Sequence, residues 1–196
     1  MPIPSRSECV FLMKKVRMPL HIQRHSVMVA KLSVYLGDFL NQNSVRLNLD
    51  LLEAGALLHD IAKAEGLATG ERHDELGARM LEELGYGRLA SIVKEHVCLD
   101  AETVTGPVTE SLIVNYADKR VMHESVVSLQ DRFDDLMIRY GKTEVHRTYF
   151  RKRLELYLAL EARIFDHLPF GPIDDKLMHI SLNGYTADEW EGYEGR

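Results

Sequence analysis

The stretch Ala54-Gly55-Ala56-Leu57-Leu58-His59-Asp60-Ile61-Ala62-Lys63 decides the fold that we expect for this chain. Apolar residues surround almost the whole of the helix that it predicts, which Asp50 would cap and which would run from Leu51 to Lys63. Such a helix is buried at the centre of a domain, and yet it carries an imidazole and a carboxylate. A buried carboxylate is costly unless it is paired or binds a metal. The stretch therefore predicts a helical domain built around a polar centre.

Outward from this helix, the apolar residues keep helical spacing in both directions, and strand signals are nearly absent. We predict a single all-α domain over 1–168, a helical bundle with its long C-terminal helix packed outside, and a tail at 169–196 that is loop or partly disordered. Residues 64–72 and 98–108 are predicted as loops. The other predicted helices run from Pro19 to near Asn41, His73 to Leu84, Arg88 to Val97, Thr109 to Tyr140 and Thr143 to about His167.

Composition narrows the function classes. The 196 residues are 45% hydrophobic and 28% charged, with a net charge of −6. An acidic chain without a basic excess is unlike a binder of nucleic-acid backbones, and two cysteines are too few for a disulfide framework.

No apolar run reaches the roughly 18 residues of a membrane span, and no targeting segment is evident, so we predict a cytoplasmic protein. The nine histidines point to metal chemistry.

Several of these histidines, and two aspartates, lie on predicted apolar helix faces. His25 is in line with Val29 and Leu32, and Asp118 lies among apolar neighbours. Neutral imidazoles and carboxylates together suit divalent cations, and two buried carboxylates on separate helices need a shared one. Six residues could converge on one point and hold two ions: His25, His59, Asp60, His73, His96 and Asp118.

Taken one at a time, these residues are also compatible with purely structural roles. A lone His25 or His96 on an apolar face is more often a core histidine with a satisfied hydrogen bond than a metal ligand. His73 could be the polar start of a surface helix. The combination and its order along the chain favour the metal site.

The same residues carry a family resemblance. His25, then His59-Asp60, then Asp118 resembles the H…HD…D signature of the HD-domain metal-dependent phosphohydrolases. The stretch 54–63 is similar to that family's central helix, and Asn115-Tyr116-Ala117-Asp118-Lys119 resembles its closing motif. His73 and His96 resemble the extra histidines of HD subgroups with dinuclear centres. The resemblance covers about residues 20–140 and is nearest to the uncharacterised bacterial HDIG-type subgroup.

The resemblance implies a site. His25, His59, Asp60 and Asp118 would hold one divalent ion, and Asp60 would bridge to a second that His73 and His96 also hold. The cofactor is then one or two ions of Fe, Mn, Mg, Ni or Co.

The resemblance also implies the reaction. A metal-bound hydroxide would attack phosphorus in a nucleotide or another small phosphoester or phosphoanhydride, with Asp60 and Lys63 as catalytic residues. Cations that adjoin the ligands in the sequence are candidates to hold substrate phosphate: Arg24, Lys63, Lys119 and Arg120.

Other functions stay open on the sequence. HD-type folds with four histidines and two aspartates also hold diiron centres that activate O₂, so a diiron oxygenase is one alternative. A nucleotide-binding regulatory module without turnover is another, and a purely structural helical protein is a third. The expected partner is a small phosphorylated molecule, with no nucleic acid or membrane, and the long helices after Thr109 could pack on a second copy as a homo-oligomer.

Overall fold

A computed structural model describes residues 2–43, 45–97 and 99–182. In these ranges the chain is all-α apart from one small antiparallel hairpin, as predicted. The elements are α1 (Arg6–Lys15), α2 (Leu20–Gln42), α3 (Leu49–Leu58), α4 (Lys63–Thr69), α5 (His73–Glu83), α6 (Gly87–Glu95), α7 (Ala101–Thr105), α8 (Glu110–Arg120), β1 (Val121–Met122), β2 (Ser125–Val126), α9 (Leu129–Tyr140), α10 (Glu144–Phe165) and α11 (Asp175–Met178).

The core forms around α3, which packs against α1, α2, α6 and α8. Its leucines from Leu51 onward are buried, and Leu52, Leu57 and Leu58 have no exposed surface. Close approach to α6 requires a glycine, because a Cβ atom on Gly55 would lie 2.9 Å from Cγ2 of Ile92. The prediction of a central, buried helix is therefore confirmed. Among the described residues, no helix combines the length and the apolar character needed to cross a membrane.

The predicted bounds of this helix are wrong at both ends. The cap is Asn48 rather than Asp50, since the Asn48 side chain accepts a hydrogen bond from the backbone N–H of Leu51 at 3.0 Å. At the other end α3 stops at Leu58, and residues 59–62 form a tighter turn in which the N–H of Ile61 donates to Leu58 O at 3.0 Å. His59 and Asp60 therefore lie at a helix end rather than inside a continuous helix.

The predicted long helix over 109–140 is two helices joined by the hairpin. Thr109 caps α8 as expected, but α8 ends at Arg120 where the β-branched Val121 takes an extended conformation. The hairpin turns at His123, whose φ is +56°, and a new helix begins after Ser128, whose side chain accepts from Asp131 N. The predicted loops at 64–72 and 98–108 contain the short helices α4 and α7.

The last long helix, α10, begins after Thr143 and packs on α7, α8 and α9, which agrees with the prediction of an outer helix. Within the predicted tail, residues 169–182 are mainly loop with the short helix α11, and they pack on the core. Leu177 of α11 is fully buried, and the ring of Phe170 lies 5.0 Å from that of Phe39. Apolar side chains therefore hold this segment on the core. The rest of the predicted tail, 183–196, lies outside the described residues.

A buried ion pair joins this outer layer to the core. The Arg120 side chain is 1% exposed, and its Nη1 lies 2.9 Å from Oε2 of Glu161 in α10. The Tyr116 hydroxyl donates to the same carboxylate at 2.5 Å, and Arg120 Nη2 donates to Pro172 O at 2.6 Å. Arg120 therefore connects α8, α10 and the C-terminal segment.

We expect Glu161→Gln to lower the free energy of unfolding by up to about 3 kcal/mol, because it leaves the guanidinium of Arg120 buried without its counter-charge. Equilibrium urea unfolding followed by circular dichroism measures the change. Glu155→Gln, at an exposed position of the same helix, is the matched control and should leave the midpoint unchanged. Equal midpoints for the two variants would contradict a structural role for the ion pair.

Candidate metal centre

The six residues predicted as metal ligands come together from five parts of the fold. His25 lies in α2 and Asp118 near the end of α8, while His59 and Asp60 occupy the turn after α3. His73 is the first residue of α5, and His96 caps the C-terminal end of α6. Most of them are at helix ends, where the packed helices converge.

One group of donor atoms forms around Asp118. Its Oδ1 lies 3.0 Å from Nε2 of His25 and 3.7 Å from Nε2 of His59. The ligand atoms of these three residues all lie within 4.8 Å of one another. This spacing leaves room for one cation between them.

A second group forms around Asp60. His59 Nε2 lies 3.4 Å from its Oδ2, and His96 Nε2 lies 3.6 Å from its Oδ1. The ligand atoms of these three residues also lie within 4.8 Å of one another. His73 Nε2 lies 3.3 Å from the same Oδ1 and 3.2 Å from His96 Nε2. The two oxygens of Asp60 therefore face different histidines, an arrangement that suits a bridging carboxylate.

His59 lies in both groups, and its hydrogen bonds favour the role of a ligand. Its Nδ1 donates to Ala56 O at 2.7 Å, as His96 Nδ1 donates to Val93 O at 2.5 Å. These carbonyls hold a proton on Nδ1, so Nε2 is the nitrogen that faces the cluster and can ligate a cation. The Nε2 atom of His59 is buried and has no hydrogen-bond partner in the part of the chain that the structure describes. A cation between the carboxylates would satisfy it, so the residues present fit a divalent metal.

The electrostatics of the cluster favour positive charge. Burial opposes protonation of His59, but the carboxylates, Asp60 first, outweigh it and raise the pKa of the imidazole to about 9. Burial also opposes ionisation of Asp60 and Asp118, but nearby cationic groups, His59 for Asp60 and Lys119 for Asp118, hold the pKa of both carboxyls well below their usual range. Both aspartates are therefore ionised at neutral pH.

Two of the four candidate phosphate-binding residues reach the cluster. Lys63 Nζ lies 2.6 Å from Asp60 Oδ2, with 39% of its side chain exposed. Lys119 Nζ donates to Asp118 Oδ2 and is more buried. The structure does not bring the other two there: Arg24 pairs with Glu124 at the surface, and Arg120 belongs to the buried ion pair with Glu161. Both arginines lie close to ligands in the sequence, but helical rotation directs their side chains away from the cluster.

Sequence reasoning missed the groups that orient two of the histidines. These are the carbonyls of Ala56 and Val93, although each lies three residues before the histidine that it orients. That spacing places donor and acceptor on one helix face and is readable in the sequence.

A sequence model of one protein family, the HD domain, matches residues 22–122 of this chain. The chain belongs to the HD domain family. The match spans about half of the chain and contains His25, His59-Asp60 and Asp118 in the predicted order. HD domains are generally metal-dependent hydrolases. The match ends within the hairpin, so α9, α10 and α11 lie outside it. No curated protein and no solved structure matches the chain at a significant level.

We expect each donor group to lose its metal ion separately when a ligand that belongs to that group alone is removed. His25→Ala and His59→Ala should each lower the content of Co²⁺ by one ion per chain, His73→Ala should weaken the other ion, and Asp60→Asn should reduce both. Elemental analysis after equilibrium dialysis measures the content. His146→Ala, at an exposed position in α10, is the control and should bind as the wild type does. Full occupancy in Asp60→Asn would contradict a bridging carboxylate.

Protons and cations should compete for His59. Because the metal-free pKa of His59 is about 9, the imidazole carries a proton at neutral pH that a cation must displace. The affinity for Co²⁺ should therefore rise with pH, by up to about tenfold per unit, and level off above the pKa. Calorimetry in buffers of different ionisation enthalpy counts the protons that are released. Binding without proton release would show that His59 is neutral in the free protein.

Proposed function

We propose that this HD domain is a metal-dependent phosphohydrolase that cleaves a nucleotide or another small phosphoester or phosphoanhydride. One observation carries the proposal: four imidazole nitrogens and two ionised carboxylates converge in a largely buried cluster, and among the described residues one of the nitrogens, Nε2 of His59, has no hydrogen-bond partner. Most buried polar atoms in proteins have a hydrogen-bond partner, and a cation would supply one for this nitrogen. Both the reaction class and the donor chemistry agree with membership of the HD domain family.

The donor set suits first-row divalent ions, such as Fe, Mn, Co or Ni, and also admits Mg. His25, His59, Asp60 and Asp118 would hold one ion, and Asp60, His73 and His96 would hold the other, with Asp60 as the ligand common to both. When bound, such ions lower the pKa of a coordinated water and neutralise charge on phosphoryl oxygens.

The charged side chains of the centre balance one another before any metal binds. Lys63 and Lys119 pair with Asp60 and Asp118, so these four side chains together are neutral. Any bound dication therefore makes the centre positive, although the chain as a whole carries −6. An anionic substrate is attracted to the centre for this reason.

Lys63 is the residue best placed to meet that substrate. Its side chain is partly exposed while its ammonium touches Asp60, so it lies at the margin between the cluster and solvent. We assign it to a phosphoryl oxygen. Lys119 is more enclosed and mainly compensates the buried charge of Asp118. A nucleotide as substrate, the cytoplasm as location and self-association of the chain remain our predictions.

The nitrogen-rich donor set also favours a second candidate, a diiron oxygenase, because imidazole ligands suit iron. The two candidates differ in what they consume. The hydrolase releases phosphate without O₂, whereas the oxygenase consumes O₂ and requires iron.

We expect the metal-loaded protein to release phosphate from members of a panel of nucleotides and generic phosphoesters. Asp60→Asn should lower kcat by at least about a hundredfold, because it weakens a bridging ligand. Lys63→Met should raise KM by about tenfold through loss of a charged hydrogen bond, with the metal content unchanged. Lys142→Met, at an exposed position, is the control.

Three outcomes would overturn the proposal. Consumption of O₂ by the iron-loaded protein without phosphate release would favour the oxygenase. Tight nucleotide binding without turnover would favour a regulatory module. Phosphate release that Asp60→Asn leaves unchanged would place the activity elsewhere or in a contaminant.

A further inference from the structure

The outer helix α10 reaches the segment of main chain that carries His96. Arg153 donates through Nη2 to Val97 O at 2.9 Å and through Nη1 to Leu99 O. One turn later on the same face, the Tyr157 hydroxyl donates to Asn115 Oδ1 at 2.6 Å. Asn115 in turn donates through Nδ2 to Glu95 O at 2.9 Å.

These contacts fall on both sides of His96. The last carbonyls of a helix have no partner within the helix, and at the end of α6 side chains supply the donors. Asn115 holds the carbonyl before His96, and Arg153 holds the carbonyl after it and the one at Leu99. The main chain at His96 is therefore fixed from α8 and from α10 at once.

The side chains that make these contacts are themselves immobilised. Tyr157 is fully buried and Asn115 is 2% exposed. The guanidinium of Arg153 lies over the ring of Tyr157, 5.6 Å from its centroid, and that ring packs 5.5 Å from the ring of Phe133. Partners that cannot move hold a metal ligand in place better than mobile ones do.

The contacts bear on one donor group in particular. His96 Nε2 faces Asp60 Oδ1 and His73 Nε2, whereas His25 and Asp118 meet His59 on the other side. A shift of the main chain at His96 would therefore open the group around Asp60 before it disturbs the group around Asp118. Arg153 and Tyr157 lie outside the HD domain match at 22–122, so the match itself does not supply this support.

We propose that Arg153 and Tyr157, acting through Asn115 and the carbonyls around His96, are positioning residues for the ion that Asp60, His73 and His96 share. The proposal rests on the metal centre of the proposed function, but it concerns ion binding and does not depend on turnover. It assigns to α10 a role in the occupancy of the second ion.

The test is a titration of the metal-free, full-length chain with Co²⁺, followed by visible absorption and by calorimetry. His73→Ala identifies the binding step that belongs to the group around Asp60. Tyr157→Phe and Arg153→Met should each weaken that step by about tenfold or more and leave the other step within about twofold. Arg153→Lys, which keeps one cationic donor, should recover part of the affinity.

Two control variants on α10 separate positioning from general destabilisation. Leu160→Val loosens a fully buried position of the helix without removing a contact to the His96 segment, so it should lower the Tm and leave both steps unchanged. Tyr149→Phe, at an exposed position, should change neither property. The proposal is overturned if Tyr157→Phe and Arg153→Met leave both steps unchanged, weaken both equally, or if the wild type binds Co²⁺ in a single step. A chain that shows the expected pattern but hydrolyses nothing would refute the proposed function alone.

Discussion

The burial of two carboxylates in an apolar helical core is the constraint on which the structure depends. Asp60 and Asp118 are 1% and 7% exposed, and an unpaired charge at either position would cost several kcal/mol. Four histidines surround them, and Lys63 and Lys119 pair with them and compensate that charge. The packing of α2, α3, α5, α6 and α8 can be understood as the arrangement that brings this compensation to one place.

Most of the candidate metal ligands are positioned by the ends of helices. Interruption of α3 after Leu58 turns His59 and Asp60 towards the cluster, and the end of α6 does the same for His96. Both histidines use the carbonyl three residues earlier to fix the tautomer, so a local rule produces two oriented ligands. The outer layer is tied to this core by Arg120 and Glu161 and, around His96, by Arg153 and Tyr157.

Much of the fold was predictable from periodicity and caps. Thr109, Thr143 and Gly141 mark helix boundaries at the expected positions, because side-chain caps and helix-ending glycines act locally. The break between α8 and α9 was missed, since apolar spacing continues through the hairpin and hides it. Loop was predicted at 169–182 but its packing on the core was not, because polar and turn-forming residues there mask the few apolar side chains, such as Phe170 and Leu177, that contact the core.

The sequence by itself determined the all-α class, the central buried helix and the set of residues that converge, since apolar period and residue chemistry are local properties. Only the tertiary structure decided how that set is divided. It placed His59 between both donor groups, turned the two oxygens of Asp60 towards different histidines, and separated Lys63 and Lys119 from Arg24 and Arg120. The physical reason is that the direction of a side chain at a helix end depends on which helices pack against it, and spacing along one chain does not specify those partners.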